Sequence, residues 1–131
     1  MQWDDNANAG FSEGLPWIAP ASNYTKINVQ SALACDDSVF YHYKKLIELR
    51  KTHNIIAYGS YSPAFEEHPS VFAYTRQLGD ERLLVVCNFF GQEAQVEAGA
   101  IQTILLSNYN DTVTDGSFLV LRPYEALAAW I

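Results

Sequence analysis

Apolar residues recur along this 131-residue chain with two different periods and, over its opening stretch, with none. Residues 1–25 show neither helical nor strand spacing. They hold Gly10, Gly14, Pro16, Pro20 and three Asn, the residues that break regular structure, and so predict a long irregular loop. Loops of that length are usually functional, disordered or part of something larger. A helical turn is expected around Val29–Ala34. The one long helix is predicted over 38–52, where Val39, Tyr43, Leu46, Ile47 and Arg50 follow a 3, 4, 7 spacing and Phe40 and Leu49 widen the stripe. Asp36, Asp37 and Ser38 place capping oxygens and negative charge at its start. Lys44, Lys45, Arg50, Lys51 and His53 place positive charge toward its end, as the helix dipole favours.

From Ile55 onward the pattern changes to strands. Val71–Arg76 and Arg82–Phe89 flank Leu78-Gly79-Asp80-Glu81, which predicts a hairpin. Leu83 to Cys87 lacks polar alternation, the mark of a strand covered on both faces. Further strands are expected near Gln95–Glu97, Ile101–Ser107 and Phe118–Leu121, with Pro123 turning the chain into Ala126–Ile131. Short strands at this spacing indicate an antiparallel sandwich over residues 55–131, with Leu84, Val86, Phe89, Leu105, Leu119 and Leu121 in its core. The fold class is therefore mainly β, preceded by a loop and one amphipathic helix over residues 1–54.

Length and charge narrow the function. The chain is too short for a complete (β/α)₈ barrel, which needs at least about 200 residues. Its 15 acidic against 8 basic residues give a net charge of −7. That balance argues against non-specific binding to nucleic acid or to an anionic membrane. No apolar stretch approaches the length of a membrane-spanning helix. The opening Met1-Gln-Trp-Asp-Asp5 lacks the basic start and apolar run of a signal peptide. Cys35 and Cys87 share no metal or redox spacing and read as buried or free thiols in a reducing compartment, a single disulfide being the alternative. Asn23-Tyr-Thr25 and Asn110-Asp-Thr112 match the glycosylation sequon, a pattern short enough to recur by chance. A cytoplasmic protein is expected.

Reactive chemistry is sparse. Asp4-Asp5 and Glu66-Glu67 are adjacent carboxylates. Neighbouring side chains in an extended segment point apart, whereas glycoside hydrolysis needs two carboxyl groups about 5–10 Å apart across the sugar. His42, His53 and His68 show no ligand spacing, so no metal site is expected. There is no nucleophile elbow and no phosphate-cradling glycine loop. Trp3, Phe11 and Trp17 are large aromatics in a loop rich in Gly, Asn and Asp. They either stack on sugar faces or pin the loop to a core.

Spaced motifs carry a resemblance. Met1-Gln-Trp-Asp-Asp5, Asn8-Ala-Gly-Phe11, Pro16-Trp17, Asn23-Tyr24 and Ile27-Asn-Val29 resemble the loop after the last barrel strand of glycoside hydrolase family thirteen α-glucosidases. Ser38-Val-Phe-Tyr41 with Lys45-Leu-Ile-Glu-Leu-Arg50 resembles their final barrel helix, and Leu121-Arg-Pro-Tyr-Glu-Ala126 the end of their C-terminal β-domain. The similarity runs over essentially the whole chain. It is nearest to the oligo-1,6-glucosidase and trehalose-6-phosphate hydrolase branch, leaning to the latter.

The resemblance implies the C-terminal part of a retaining α-glucosidase that uses no cofactor. Residues 1–54 would be the last loop and helix of an incomplete (β/α)₈ catalytic barrel, and 55–131 the Greek-key-like C-terminal domain of α-amylases. The family's catalytic carboxylates lie upstream of the segment matching Met1, so no residue here is assigned a catalytic role. α-Glucoside or trehalose 6-phosphate would be bound only by the full-length enzyme, with Trp3 and Asp4 as substrate-side or loop-shaping candidates. A free-standing carbohydrate-binding module and a scaffolding domain are the alternatives. The helix carries apolar residues on more than one side. The chain is therefore expected to self-associate through residues 1–52, or to fold its loop back over the helix.

Overall fold

A computed structural model describes all residues, Met1–Ile131. They form two compact units, Met1–Ile47 and Glu48–Ile131.

The second unit is built on strands whose side chains alternate between a buried core and a partly covered outer face. These are β1 (Ser60–Ala64), β2 (Val71–Leu78), β3 (Glu81–Asn88), β4 (Ala94–Glu97), β5 (Thr103–Ser107), β6 (Val113–Asp115), β7 (Phe118–Leu121) and β8 (Ala126–Trp130). Every pairing is antiparallel. One sheet runs β1-β2-β3-β8-β5 and the other β4-β7-β6. Val71, Ala73, Val86, Leu127 and Ala129 of the first sheet meet Ala94, Val96, Leu119 and Leu121 of the second, and this layer is the core of a sandwich.

The predicted hairpin is present, with Leu78 paired to Glu81 across Gly79-Asp80. Gly79 has φ 60° while Asp80 keeps negative φ, the arrangement of a two-residue turn with glycine in its first central position. Strand β3 is central and covered on both sides. Leu84, Val86 and Asn88 are buried on one face, and Leu83 is buried while Val85 and Cys87 are half-buried on the other. Leu119 and Leu121 are buried as expected and Leu105 is half-buried. Phe89 is a correction. Strand β3 ends at Asn88, so Phe89 escapes the alternation and is exposed, with its ring near Phe72.

Three elements differ from the sequence expectation. Residues 54–58 form a short helix, α3 (Asn54–Tyr58), where strand was expected. Its buried Ile55 packs on the outer face of β2 and β3, and Arg76 of β2 donates to the carbonyls of Ile55 (3.0 Å) and Gly59 (2.7 Å) at its end. Strand β1 contains Pro63 and is tolerated because it lies at the sheet edge, where a missing amide breaks no inner ladder. Strand β6 is three residues long and exposed throughout.

The chain crosses between sheets four times, and buried polar side chains hold two of these corners, β3 to β4 and β7 to β8. Asn88 donates to the carbonyls of Gln92 (2.7 Å) and Arg122 (3.0 Å) and accepts from the amide of Phe90 (3.1 Å). Glu125 is wholly buried. It accepts from the Arg122 amide (2.9 Å), from Arg122 Nε (3.0 Å) and from Arg122 Nη2 (3.0 Å). The same guanidinium lies 4.0 Å from the Tyr109 ring centroid and bonds Asp111 at 2.7 Å. Hydrogen bonding to Arg122, and then its charge, hold the Asp111 carboxyl below the usual carboxylate range. That pair is intact near neutrality and is released as pH falls through the lowered value.

The first unit is built differently. Helix α1 (Val29–Leu33) follows Asn28, and α2 (Val39–Thr52) contributes its first two turns. Ala9 is the unit's one buried apolar residue. No helix in the chain is long and apolar enough to cross a membrane.

Two substitutions test the sandwich. Val86→Asp places a charge in the inter-sheet layer, and a domain stabilised by only about 5–15 kcal/mol should lose its cooperative thermal transition. A melt like that of the parent would put Val86 on the surface. Glu125→Gln leaves the Arg122 guanidinium without its buried counter-charge and should lower unfolding stability by about 3 kcal/mol in urea titration. A change below about 0.5 kcal/mol would show that the corner does not depend on the pair.

Candidate functional site

The opening segment is organised by the unsatisfied amides of a helix. The first amides of α1 point out of the helix start and need acceptors. The Gln2 carbonyl accepts from Val29 N (2.9 Å) and the Trp3 carbonyl from Gln30 N (2.9 Å). The Asn28 side chain caps Ser31 N (2.8 Å) while its own amide donates to Tyr24 O (2.8 Å). The Gln2 side chain adds a bond to Ile27 O (2.6 Å). The Ile27-Asn-Val29 motif is thus the docking point of Gln2-Trp3.

The next residues reverse the chain through a left-handed turn. Asn8 (φ 55°), Ala9 (φ 58°) and Gly10 (φ 63°) take it in succession. Only glycine adopts this conformation without strain, and strained backbone persists where surrounding contacts over-determine it. Those contacts are visible. The Ala9 carbonyl accepts from the amides of Trp3 (2.8 Å) and Asp4 (3.3 Å), and Asn8 donates to the carbonyls of Ser12 and Gly14, both at 2.9 Å. The Asp4 carboxylate accepts from Asn6 N (2.9 Å) and packs against the Gly10 backbone. A Cβ on Gly10 would lie 2.6 Å from the Asp4 carboxyl atoms.

Asp4 is therefore held at the heart of the turn, whereas the Trp3 ring is half exposed and its backbone does the bracing. A groove of about 530 Å³ is lined by Gln2, Asn8, Phe11, Trp17 and their neighbours. A shallower hollow of about 460 Å³ is lined by Asp4, Asn6, Phe11 and Glu13. Trp3 lines neither, while Phe11 lines both. The surface offers aromatic rings beside carboxylate and amide groups, the chemistry that stacks on sugar faces and bonds hydroxyls. Asn8 was not singled out by charge or period; its signal was its place in Asn8-Ala-Gly-Phe11.

Elsewhere the candidates stay apart. No three His, Cys, Asp or Glu side chains gather as a metal site would require. Cys35 is exposed and free, and Cys87 is half-buried and free, its thiol pushed up by burial. In the second unit Tyr61, Tyr74, Phe72 and Phe89 form a continuous aromatic strip, with neighbouring ring centroids 5.2, 6.1 and 6.3 Å apart.

Comparison with known proteins divides the chain in the same order as its motifs. Residues 1–59 match the α-amylase catalytic domain, and residues 71–127 match the α-amylase SusG C-terminal domain. An oligo-1,6-glucosidase of Halalkalibacterium halodurans is 47% identical over 96% of this chain and 24% of its own length. A trehalose-6-phosphate hydrolase of Bacillus subtilis is 41% identical over 97% of this chain and 24% of its own. The crystal structure of the trehalose-6-phosphate hydrolase of Bacillus licheniformis superposes with a TM-score of 0.92 at 39% identity, over 99% of this chain and 25% of that one. The chain thus spans about a quarter of the length of these relatives and corresponds to their C-terminal region.

Gly10→Ala is expected to open the turn, since the new methyl meets the Asp4 carboxyl and the φ is unfavourable for alanine by about 1–2 kcal/mol. Amide exchange at Trp3 and Asp4, whose protons the Ala9 carbonyl holds, should speed up about tenfold while the sandwich amides do not change. Unaltered exchange at both would place Asp4 away from Gly10.

Proposed function

Because the chain belongs to the α-amylase family, glycoside hydrolase family thirteen, we propose that it serves as the C-terminal quarter of a cytoplasmic retaining α-glucosidase. It completes the catalytic domain with residues 1–59 and braces it with the β-sandwich. The substrate class is an α-linked glucoside, either an α-1,6-linked glucose oligomer or trehalose 6-phosphate. The observation that carries this reading is the order of the two domain matches, a catalytic-domain end followed directly by a C-terminal domain. The bare apolar surface of the first unit supports it, because the end of a catalytic domain is normally covered by the rest of that domain. The free thiols of Cys35 and Cys87 fit a reducing compartment.

The chemistry itself is assigned to carboxylates outside these residues, and no residue of this chain is given a catalytic role. No cofactor is required for a retaining hydrolysis, in which one carboxylate attacks and a second group donates and then accepts the proton. Within this chain, the groove wall formed by Phe11 and Trp17 and the exposed ring of Trp3 lie on the substrate side, and Asp4 shapes the loop that presents them. The aromatic strip of Tyr61, Tyr74, Phe72 and Phe89 favours a second reading, a carbohydrate-binding module. Titration of the chain with a linear α-glucan separates the two.

A chimera provides the test. The matched C-terminal segment of the Halalkalibacterium halodurans oligo-1,6-glucosidase is replaced by this chain and assayed on isomaltose and trehalose 6-phosphate. The chimera should hydrolyse one of them, the truncated relative neither, and the 131-residue chain alone neither. Trp3→Ala in the chimera should lower kcat/KM by about tenfold, whereas a lower Tm with unchanged kcat/KM would make Trp3 a brace. A folded but inactive chimera would overturn the proposal.

A further inference from the structure

We propose that the outer face of the five-stranded sheet is the seat on which the sandwich carries the rest of the catalytic domain, with Tyr61, Phe72, Tyr74 and Phe89 as its contact strip. The inference rests on the enzymatic reading above and names the surface through which the brace acts.

The strand register fixes what this face presents. Residues paired across antiparallel strands share a face, and alternate residues along a strand return to it. Phe72, Tyr74 and Arg76 therefore lie on one side together with their partners Cys87, Val85 and Leu83. The opposite side, with Ala73 and Val86, is the inter-sheet core. Beside the first set, β1 and β8 add only Tyr, Pro, Ala and Trp side chains. Arg76 is the one charge in this part of the face, and its guanidinium is committed to the carbonyls of Ile55 and Gly59.

Part of the occupant is already in place. Helix α3 lies within residues 1–59, which match the catalytic domain, and its Ile55 is fully buried over β2 and β3. Leu83, the partner of Arg76 at that end of the face, is buried. Beyond α3 the face continues uncovered, with Phe89 63% exposed, Tyr61 54% and Phe72 50%. Aromatic side chains carry about 150–250 Å² each, so the strip leaves on the order of 400 Å² open, a large share of an inter-domain interface of about 600–1,500 Å². A sugar fits less well. Neighbouring rings are inclined at 35°, 60° and 59°, which gives no flat platform, and the face offers no free carboxylate or amide beside them to bond hydroxyls. Inclined rings interdigitate with apolar side chains, as in a protein core.

The free thiol of Cys87, paired with Phe72 on this face, reports on the seat. Its alkylation by N-ethylmaleimide is followed by mass spectrometry of the Cys87 peptide, in the 131-residue chain and in the chimera described above. The rate should be about tenfold or more lower in the chimera, where the thiol is covered. Phe72→Glu in the chimera should return the rate toward that of the chain alone, whereas Phe118→Glu, on the three-stranded sheet, should not. Labelling of Cys87 in the chimera at the rate of the chain alone overturns the inference, as does equal deprotection by both variants. Slower labelling of the chain alone in the presence of a linear α-glucan would make the strip a sugar site and overturn it as well. Hydrolysis of isomaltose by the same chimera reports separately on the enzymatic reading. An active chimera with an unprotected Cys87 fails this inference alone, and an inactive one with Cys87 protected fails the reading and keeps the seat.

Discussion

The sandwich depends on one buried carboxylate. Glu125 sits where the chain leaves β7 in one sheet and enters β8 in the other, and it is wholly removed from water. A lone charge in that position would be strongly unfavourable. Three donors from Arg122 make it tolerable, and the geometry that brings them there sets the corner. The Arg122 amide must point back at Glu125, so Pro123 and Tyr124 form a tight reversal, with Tyr124 in the left-handed region at φ 58°. The Tyr124 amide then reaches Phe90 O, and Asn88 reaches Arg122 O. One ion pair thereby ties the β3–β4 corner to the β7–β8 corner. The hydrophobic layer gives the sandwich its stability, and the corner decides how the two sheets connect.

No comparable element stabilises the first unit. Its order comes from backbone bonds: the carbonyls of Gln2 and Trp3 on the α1 amides, and the Ala9 carbonyl on the amides of Trp3 and Asp4. Hydrogen bonds of this kind contribute about 1 kcal/mol each net, too little to order a segment of this size without buried apolar area. Local geometry is well specified there while global stability is borrowed. That combination fits the match of residues 1–59 to part of a catalytic domain, where in the proposed enzyme the rest of that domain would supply the missing burial.

What the sequence made legible follows the same division. Strands whose own apolar pattern reflects their burial were readable: β2, β7 and β8, and β3 with its unbroken apolar run covered on both sides, lie close to their expected ranges, as does α2. Elements stabilised by a neighbour rather than by their own pattern were not. Helix α3 has β-branched residues in the wrong place for a helix and is held by Arg76 from a strand far along the chain. Strand β1 contains a proline that only an edge position excuses. Phe89 looked like core because apolar character continues past the point where the strand ends. Glu125 is the sharper failure of pattern reading. An Arg and a Glu in a Pro-containing turn look like solvated charges, and burial of the pair is visible only once both sheets are in place. Its motif, Leu121-Arg-Pro-Tyr-Glu-Ala126, was recognisable as a family signature without its physical reason being recognisable.

The same distinction bears on the candidate site. Trp3 and Asp4 were selected together, yet their environments separate them. Asp4 has its carboxylate committed to Asn6 and Gly10, so a change there acts first on the turn and only through it on anything that binds. Trp3 contributes a backbone that braces and a ring that does not, which leaves the ring available. Ala9 explains why such a loop is hard to find by composition. Its left-handed backbone is buried and carries three hydrogen bonds, yet a methyl side chain does nothing to announce the strain. The strain is borne because Asn8 and Gly10 on either side accept the same conformation at lower cost, Asn8 by bonding Ser12 and Gly14 and Gly10 by lacking a Cβ. A turn so constrained holds Phe11 at a fixed place between the two hollows. In the proposed enzyme that placement, rather than any reactive group, would be the contribution of this segment to a sugar site.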